Sequence, residues 1–338
     1  MRVASSLISG LHASTELVEL AVRTALSKAG LTRAEQVILL LSESFNKNPQ
    51  AAVLAAARTA GTTQISGCTT HGVFTEDAWQ IDQPAVAALV LSTDDSTIDQ
   101  GSPVLSLSGN TNLPSEWHSG TPRAGLLNAH GTVWHHGRLC NELHAEIQLP
   151  GLRCQTLLNR GLRILGDPCC IDEVNGYELR SIDNQSALDC LTRNLPASLR
   201  EHPPLHHLAI LQNTQTPSIA ILSANADGSL STAQTLNQGE SIQWAIRQPL
   251  FAEQEVREAL SATVDGTKTP NFAMMFSCIG RGPLFYGNDD RDQQVFREQF
   301  PGIPLIGGYG SGQIAFSGGC NHLFNNALIT LLFEEIDV

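Results

Sequence analysis

Apolar residues along the chain gather into short runs separated by segments of helical pattern. Val37–Leu41 (VILLL), Ala85–Leu91 (AVAALVL), Phe272–Phe276 (FAMMF) and Asn325–Leu331 (NNALITL) read as strands. PQAAVLAAARTAG (49–61) has helical composition, with Pro49 suited to a first turn and Gly61 to a stop just past the end. In RDQQVFREQF (291–300), Val295, Phe296 and Phe300 fall at helical spacing, and Pro301-Gly302 ends the pattern. LFAEQEVREAL (250–260) predicts an amphipathic helix, and a further helix lies within residues 1–30.

Two glycine-rich segments stand between strands. ISGCTTHGVF (65–74) and LIGGYGSGQIAF (305–316) each carry Gly-x4-Gly, and Gly67 to Gly307 and Gly72 to Gly312 span the same 240 residues. At that offset Ala87, Leu89 and Leu91 fall on Ala327, Ile329 and Leu331. Each module therefore reads strand, helix, short strand, Gly loop, strand. The expected fold is α/β with mixed sheets flanked by helices, built from two pseudo-symmetric, duplicated halves. Between the modules, 131–151 alternates as a hairpin, Glu173–Tyr177 (EVNGY) signals a hairpin turned at Asn-Gly, and a helix runs from Asn184 or Ser186 to before Pro196. HHLAILQ (206–212) and PSIAILS (217–223) are two more strands, and Ser106–Trp117 reads as a loop or linker. These readings divide the chain into 1–150, a connecting hairpin and helix at 151–205, and 206–338.

Bulk composition narrows the function. The chain has 338 residues, 42% of them apolar, 16% charged, and a net charge of −13. There is no Lys/Arg run, so no nucleic-acid partner is expected. No run of 18 apolar residues occurs, so no membrane insertion is expected. The N-terminus lacks the continuous apolar stretch of a secretory signal, and eight scattered cysteines without C-x-x-C fit reduced thiols in the cytoplasm.

The Gly-x4-Gly segments let backbone approach another backbone or a ligand, and their N–H groups suit an anion nest. Neither is a phosphate signature, because no Gly-Lys-Ser/Thr occurs and no helix follows GGYGSG. The same glycines would also serve to pack the two modules together. In Cys278-Ile-Gly-Arg281-Gly, the Arg fork either reaches a carboxylate ligand or pairs with Asp289, Asp290 or Asp292. Cys68 and Cys278 occupy comparable strand ends, and His71 lies three residues from Cys68, the ingredients of a thiol nucleophile. His135, His136, Cys140 and His144 form a loose metal-ligand pattern, and a haem needs only one axial His, for which His71 is the first candidate.

ISGCTTHG at 65–72 resembles the Gly loop of the N-terminal half of FIST domains. FSCIGRGPLFYGNDDRDQQVFREQFPGIPLIGGYGSGQIAF (276–316), followed by FNNALITLLF (324–333), resembles the C-terminal half. The likeness covers roughly 30–338 and is most specific at CIGRG (278–282). It implies a stand-alone bacterial sensory protein, because FIST domains are signalling modules found alone, beside bacterial signalling proteins and in a eukaryotic F-box protein. It implies small ligands, amino acids among them, with haem-binding nitric-oxide sensing in one branch. The family commonly carries Glu after the second Gly of each loop, where this chain has Val73 and Gln313.

The expectation is a non-enzymatic sensor without a cofactor, binding a small molecule between the Gly loops and passing the signal to a protein partner. Its ligand-binding residues are Gly67, Cys68, Thr69, Thr70, His71, Gly72, Cys278, Arg281, Gly282, Gly308, Tyr309, Gly312 and Gln313, with Tyr309 placed to stack on or hydrogen-bond the ligand. A haem-dependent gas sensor using His71, or an enzyme using Cys68 or Cys278, is the alternative.

Overall fold

The computed structural model, which describes residues 1–93, 97–264 and 269–336, contains three mixed sheets, and the four apolar runs named first supply inner strands of two of them. The first sheet runs Arg2–Ser9, Ala85–Ser92, Gln36–Ser42, Ile65–Thr70, Val133–His135, Arg138–Leu139. The second runs Leu152–Asn159, Leu328–Glu335, Phe272–Cys278, Leu305–Gly310, Gly72–Thr75, Trp79–Ile81. The third contains His144–Ile147, Val104–Ser108, Arg123–Leu127, Gly312–Ser317 and Cys320–Phe324. Ser106–Ser108 thus belongs to a strand, where a loop was expected. Its seryl side chains hide the apolar alternation of Leu105 and Leu107, both buried. The strand Arg2–Ser9 carries no comparable apolar run, because the adjacent buried serines Ser5 and Ser6 break the pattern on both faces.

The chain forms two compact units, 1–160 with 255–338, and 161–254. The unit 161–254 is continuous because Leu162–Asn175 ladders with Ser241–Arg247. In that unit six strands close on themselves, since Leu162–Asn175 also pairs with Glu178–Ile182. The helix Ala187–Asn194, N-capped by Ser186, adds Cys190 and Leu191 to a core around Trp244. The hairpin lies one residue beyond the Asn-Gly reading, because Asn175 pairs with Glu178 and Gly176, at φ 60, is the first turn residue.

Within the first unit the two Gly-bearing modules have the same ladder. Gln36–Ser42 runs parallel to Ile65–Thr70 with Leu39 opposite Gly67, and Phe272–Cys278 runs parallel to Leu305–Gly310 with Met275 opposite Gly307. Each inner strand has an antiparallel neighbour on its other side, Leu89 opposite Ile38 and Leu331 opposite Met274. Leu89 therefore matches Leu331, two positions further along than the sequence offset placed it. A two-residue slip keeps the same face inward, so the apolar pattern alone cannot detect it. The register also matches Cys278 with Ser42 and Cys68 with Gly308, so the two cysteines are not in equivalent places.

Inward faces of the three sheets share one core, including Ile38, Leu40, Leu89, Leu107, Leu126, Met274, Phe276 and Ile329. The outer face of the first sheet packs on helices Thr15–Ala29 and Pro49–Ala60. That of the second packs on Val256 and Leu260 and on Val295 and Phe296 of Arg291–Gln299. Pro49 sits in the first turn and Gly61 ends its helix at φ 68, as the sequence signals predict, and Ser14 caps the helix Thr15–Ala29 by accepting from the Leu17 N–H. Among the described residues no helix is long and apolar enough to cross a membrane.

Candidate functional site

The Gly-x4-Gly segments are not loops. Residues 65–70 and 72–75 are strands of different sheets joined at the single residue His71, and 305–310 and 312–317 are likewise joined at Ser311. The glycines allow this by close approach. A Cβ on Gly67 would lie 1.8 Å from the Leu39 carbonyl oxygen, and one on Gly307 would lie 2.1 Å from the Phe74 ring. The two corners meet edge to edge: Gly72 pairs with Tyr309 and Val73 with Gly308, and the His71 N–H donates to the Tyr309 carbonyl at 2.9 Å. The backbones of the two corners are thus joined by strand pairing.

What the corner leaves partly open is a polar relay. His71 Nδ1 lies 2.9 Å from Glu43 Oε1, and Nε2 lies 3.2 Å from Ser311 Oγ. A carboxylate only accepts, so the proton facing Glu43 is on Nδ1, and in the neutral ring that tautomer leaves Nε2 to accept the Ser311 hydroxyl. Ser311 Oγ in turn accepts the Ala129 N–H at 3.1 Å. The Asn128 amide nitrogen donates to the Thr69 carbonyl at 3.0 Å and to Glu43 at 3.3 Å, and the Thr69 hydroxyl donates to Asn46 at 2.8 Å. Glu43 is exposed, and His71 and Ser311 are half-buried. The hydroxyl–imidazole–carboxylate order is that of an acyl-transfer nucleophile, but such chemistry also needs free N–H donors for the oxyanion. The amides of Thr69, His71, Ala129 and Ser311 are all committed within the protein.

Arg281 is not free to reach a ligand. It is buried and forms a bidentate pair with Asp292, Nε to Oδ2 at 2.7 Å and a terminal nitrogen to Oδ1 at 3.1 Å, while its other terminal nitrogen donates to the Asn159 carbonyl. Tyr286 donates to Asp292 Oδ1 at 2.7 Å. Tyr309, fully buried, spends its hydroxyl on Asp290, which also caps the helix Arg291–Gln299 by accepting from the Gln293 N–H. Burial, then the neighbouring charge of Asp292, pushes the Asp290 carboxyl up to about 6. Gly282 lets this loop lie on Tyr309, since a Cβ there would be 2.6 Å from the ring. The ring therefore packs and bonds internally instead of facing a ligand.

The thiols are placed differently from the sequence reading. Cys68 points into the shared core, where burial pushes it up to about 12, and both nitrogens of His71 are engaged elsewhere. No base serves it. Cys278 is buried 3.9 Å from the Ser311 carbonyl oxygen and from Asn326 Oδ1. A haem on His71 does not fit these residues: both ring nitrogens are occupied, and Thr70 fills the space against Gly308 to within 2.9 Å of a Cβ. His135 and His136 bond Ser66 and Gln64, and His144 faces Glu116 and Glu142, so the fold does not gather them with Cys140. Among the described residues the grouping of three metal-donor side chains is instead Cys169, Asp183 and Cys190.

Gly312 begins the strand that pairs with Arg123–Leu127, and Gln313 follows it with its side chain fully buried. Neither its amide oxygen nor its amide nitrogen has a hydrogen-bond partner, and the Asn128 amide oxygen is also unpartnered. Sequence reasoning found His71 and Gln313 but missed Glu43, Asn128 and Ser311. Glu43 follows a strand with nothing distinctive around it. Ser311 was overlooked inside Gly-Ser-Gly, whose alternation of small residues was the available signal.

Comparisons with known proteins agree with this reading in part. An uncharacterised protein of Mycobacterium tuberculosis is 22% identical over 203 residues, and one of Mycobacterium bovis 24% over 205. Each match covers 56% of this chain and 53% of the relative, so the chain spans about half the length of the curated relatives it matches. The human F-box only protein 22 is 33% identical over 88 residues, 25% of this chain and 20% of that protein. Residues 186–316, which include Cys278, Arg281, Tyr309 and Gln313, match the family model described as the FIST C domain.

Proposed function

We propose that this chain is a non-enzymatic sensory protein of FIST type that binds a small polar ligand at the corner formed by Glu43, His71 and Ser311. The FIST C domain is a signal-transduction domain, and this reading extends it to the whole chain as two duplicated halves acting in the cytoplasm through a protein partner. The observation that carries the proposal is the relay: an exposed carboxylate orients a half-buried imidazole and hydroxyl where two pairs of strands turn. Glu43 supplies there the acidic acceptor that Val73 and Gln313 no longer provide, which favours a ligand with an ammonium or amide donor. The unpartnered Gln313 amide and the unpartnered Asn128 amide oxygen are polar groups close in sequence to the corner residues Ser311 and Ala129 whose hydrogen bonds remain to be met.

The test is a thermal-shift and calorimetric screen of free amino acids and small amines against the wild-type chain, Glu43→Gln and His71→Ala. At least one compound is expected to bind the wild type and to lose about tenfold or more in affinity in Glu43→Gln, the loss of a charge-assisted bond. Binding that ignores both substitutions, or no binding across the screen, refutes the site. Covalent labelling of Ser311 by a fluorophosphonate, absent in His71→Ala, would refute the non-enzymatic reading. Haemin added to the protein is expected to give no Soret band beyond that of the free pigment.

A further inference from the structure

Residues 161–254 hold a second set of chemical groups, far in sequence from the corner. Cys169 lies in the strand Leu162–Asn175 just after a register shift between Leu165 and Cys169 in its pairing with Ser241–Arg247. Cys190 lies in the helix Ala187–Asn194 and is buried. Asp183 stands in the two-residue turn between Glu178–Ile182 and Gln185–Ser186, where it and Asn184 adopt left-handed φ of 47 and 62. That turn is tied to the strand twice: the Asp183 N–H donates to the Cys170 carbonyl at 3.1 Å, and Asp183 Oδ1 accepts the Cys170 N–H at 2.9 Å. Strand, helix and turn thus bring two sulfurs and a carboxylate to one place, their donor atoms all within 4.8 Å of one another.

The spacing has a chemical meaning. The Cys169 and Cys190 sulfurs are 3.8 Å apart. Two thiolates bound at about 2.3 Å to one tetrahedral ion lie about 3.8 Å from each other, the edge of the tetrahedron. Outer groups also point the right way. The Trp244 indole N–H, which can only donate, lies 3.4 Å from Cys190 Sγ, and the Asn194 amide nitrogen lies 3.9 Å from it. Such donors hold a sulfur in place and neutralise part of a thiolate's charge. Both thiols are buried while Asp183 is exposed, which gives an ion a way in on the carboxylate side.

We propose that Cys169, Cys190 and Asp183 form a binding site for a zinc-class divalent ion, with solvent at the fourth position. Two thiols and one carboxylate fit a borderline ion better than calcium or magnesium, which prefer oxygen donors alone. Binding breaks two S–H bonds, forms two metal–sulfur bonds and one metal–oxygen bond, and releases two protons to water. No oxidant is required. The site ties the first helix turns to the strand and the turn, so occupancy stabilises this unit.

The experiment uses the full chain, reduced with a phosphine and stripped of metal by chelator, with its eight thiols counted beforehand. One equivalent of cobalt(II) is the probe. The expected result is thiolate-to-cobalt charge-transfer absorption with tetrahedral ligand-field bands, saturating near one ion per chain and bleached by zinc(II). Cys190→Ser should abolish the charge-transfer band. Asp183→Asn, at an exposed position that leaves the core untouched, should weaken binding about tenfold or more while keeping thiolate absorption. Cys170→Ser, on the neighbouring exposed thiol, should change nothing. Absence of the band in fully reduced protein overturns the proposal, as does a band that survives in Asp183→Asn with unchanged affinity. A Cys169–Cys190 disulfide formed with peroxide in protein that takes up no cobalt would overturn it in favour of a redox pair.

Discussion

Replacing Asp290 by Asn isolates the electrostatic cost of the buried network around Arg281. The side-chain oxygen of Asn keeps the cap on Gln293, since Asn is as good an N-cap as Asp. Its amide nitrogen takes the place of the other oxygen and donates to the Tyr309 hydroxyl, which accepts as readily as it donates. The charge is what disappears. Burial, then Asp292, raises the Asp290 carboxyl from 3.8 to about 6. Below about pH 3.8 both the folded and the unfolded chain carry the proton, and the group costs nothing. Between about pH 3.8 and 6 the unfolded chain ionises first, so stability falls as pH rises; above about 6 the penalty is complete and constant. At about 1.4 kcal/mol per unit the window is worth about 3 kcal/mol, of which about 2 kcal/mol lies above pH 4.5. Urea unfolding of both proteins from about pH 4.5 to 7.5 should therefore show Asp290→Asn gaining about 2 kcal/mol on the wild type, with no further change above about pH 7. Three of the four tryptophans, Trp79, Trp117 and Trp134, belong to the same compact unit as Asp290 and report on its unfolding. Parallel stability profiles for the two proteins would refute the assignment of a raised carboxyl to Asp290.

Other substitutions probe the remaining contacts. Gly307→Ala forces a methyl to 2.1 Å from the Phe74 ring and 2.6 Å from the Met275 carbonyl oxygen, and should cost about 3 kcal/mol or more in denaturant unfolding, whereas Gly302→Ala, with open space around it, should cost about 1 kcal/mol from backbone strain alone. Arg281→Ala leaves Asp292 buried without its partner and should cost about 3–5 kcal/mol, and the double variant Arg281→Met, Asp292→Leu should recover much of that loss in the same assay. Cys68, buried and pushed up to about 12, should react with iodoacetamide at least about a hundredfold more slowly than exposed Cys170 and Cys320 when labelling is followed by peptide mass spectrometry.

Much of the fold was legible because the strongest signals are local. Pro49 and Gly61 bracket a helix, and Val295, Phe296 and Phe300 face one core, because helix ends and helical spacing need only neighbouring residues. The strands Arg2–Ser9 and Val104–Ser108 were not legible, because buried serines interrupt the apolar positions, on both faces of the first and on one face of the second. The equal offset of the two Gly segments was visible, but their form was not. Two strands that change sheets at one residue look in sequence like a loop rich in glycine. The candidate residues divided along the same line. His71 reached the corner, yet Arg281 and Tyr309 were claimed by Asp292 and Asp290, carboxylates that the sequence named for the Arg but not for the Tyr. The Cys169, Asp183 and Cys190 grouping was invisible because its spacing follows no metal motif and depends on a closed set of strands.

The match between the two modules bears on why the polar corner is single. On the duplication reading, His71 and Ser311 are equivalent positions 240 residues apart, and they touch each other. Equivalent residues meet only on a twofold axis, where identical side chains would face like with like. Here one side supplies an imidazole and the other a hydroxyl, so one can accept what the other donates. The surroundings differ in the same sense. By the ladder register Glu43 corresponds to Ile279, so the carboxylate that orients His71 has an apolar counterpart. A strictly symmetric corner would carry two half-sites competing for the same space. On that reading carboxylate and imidazole stand on one side of the axis and a hydroxyl on the other, and this asymmetry suits the single small molecule proposed for the corner.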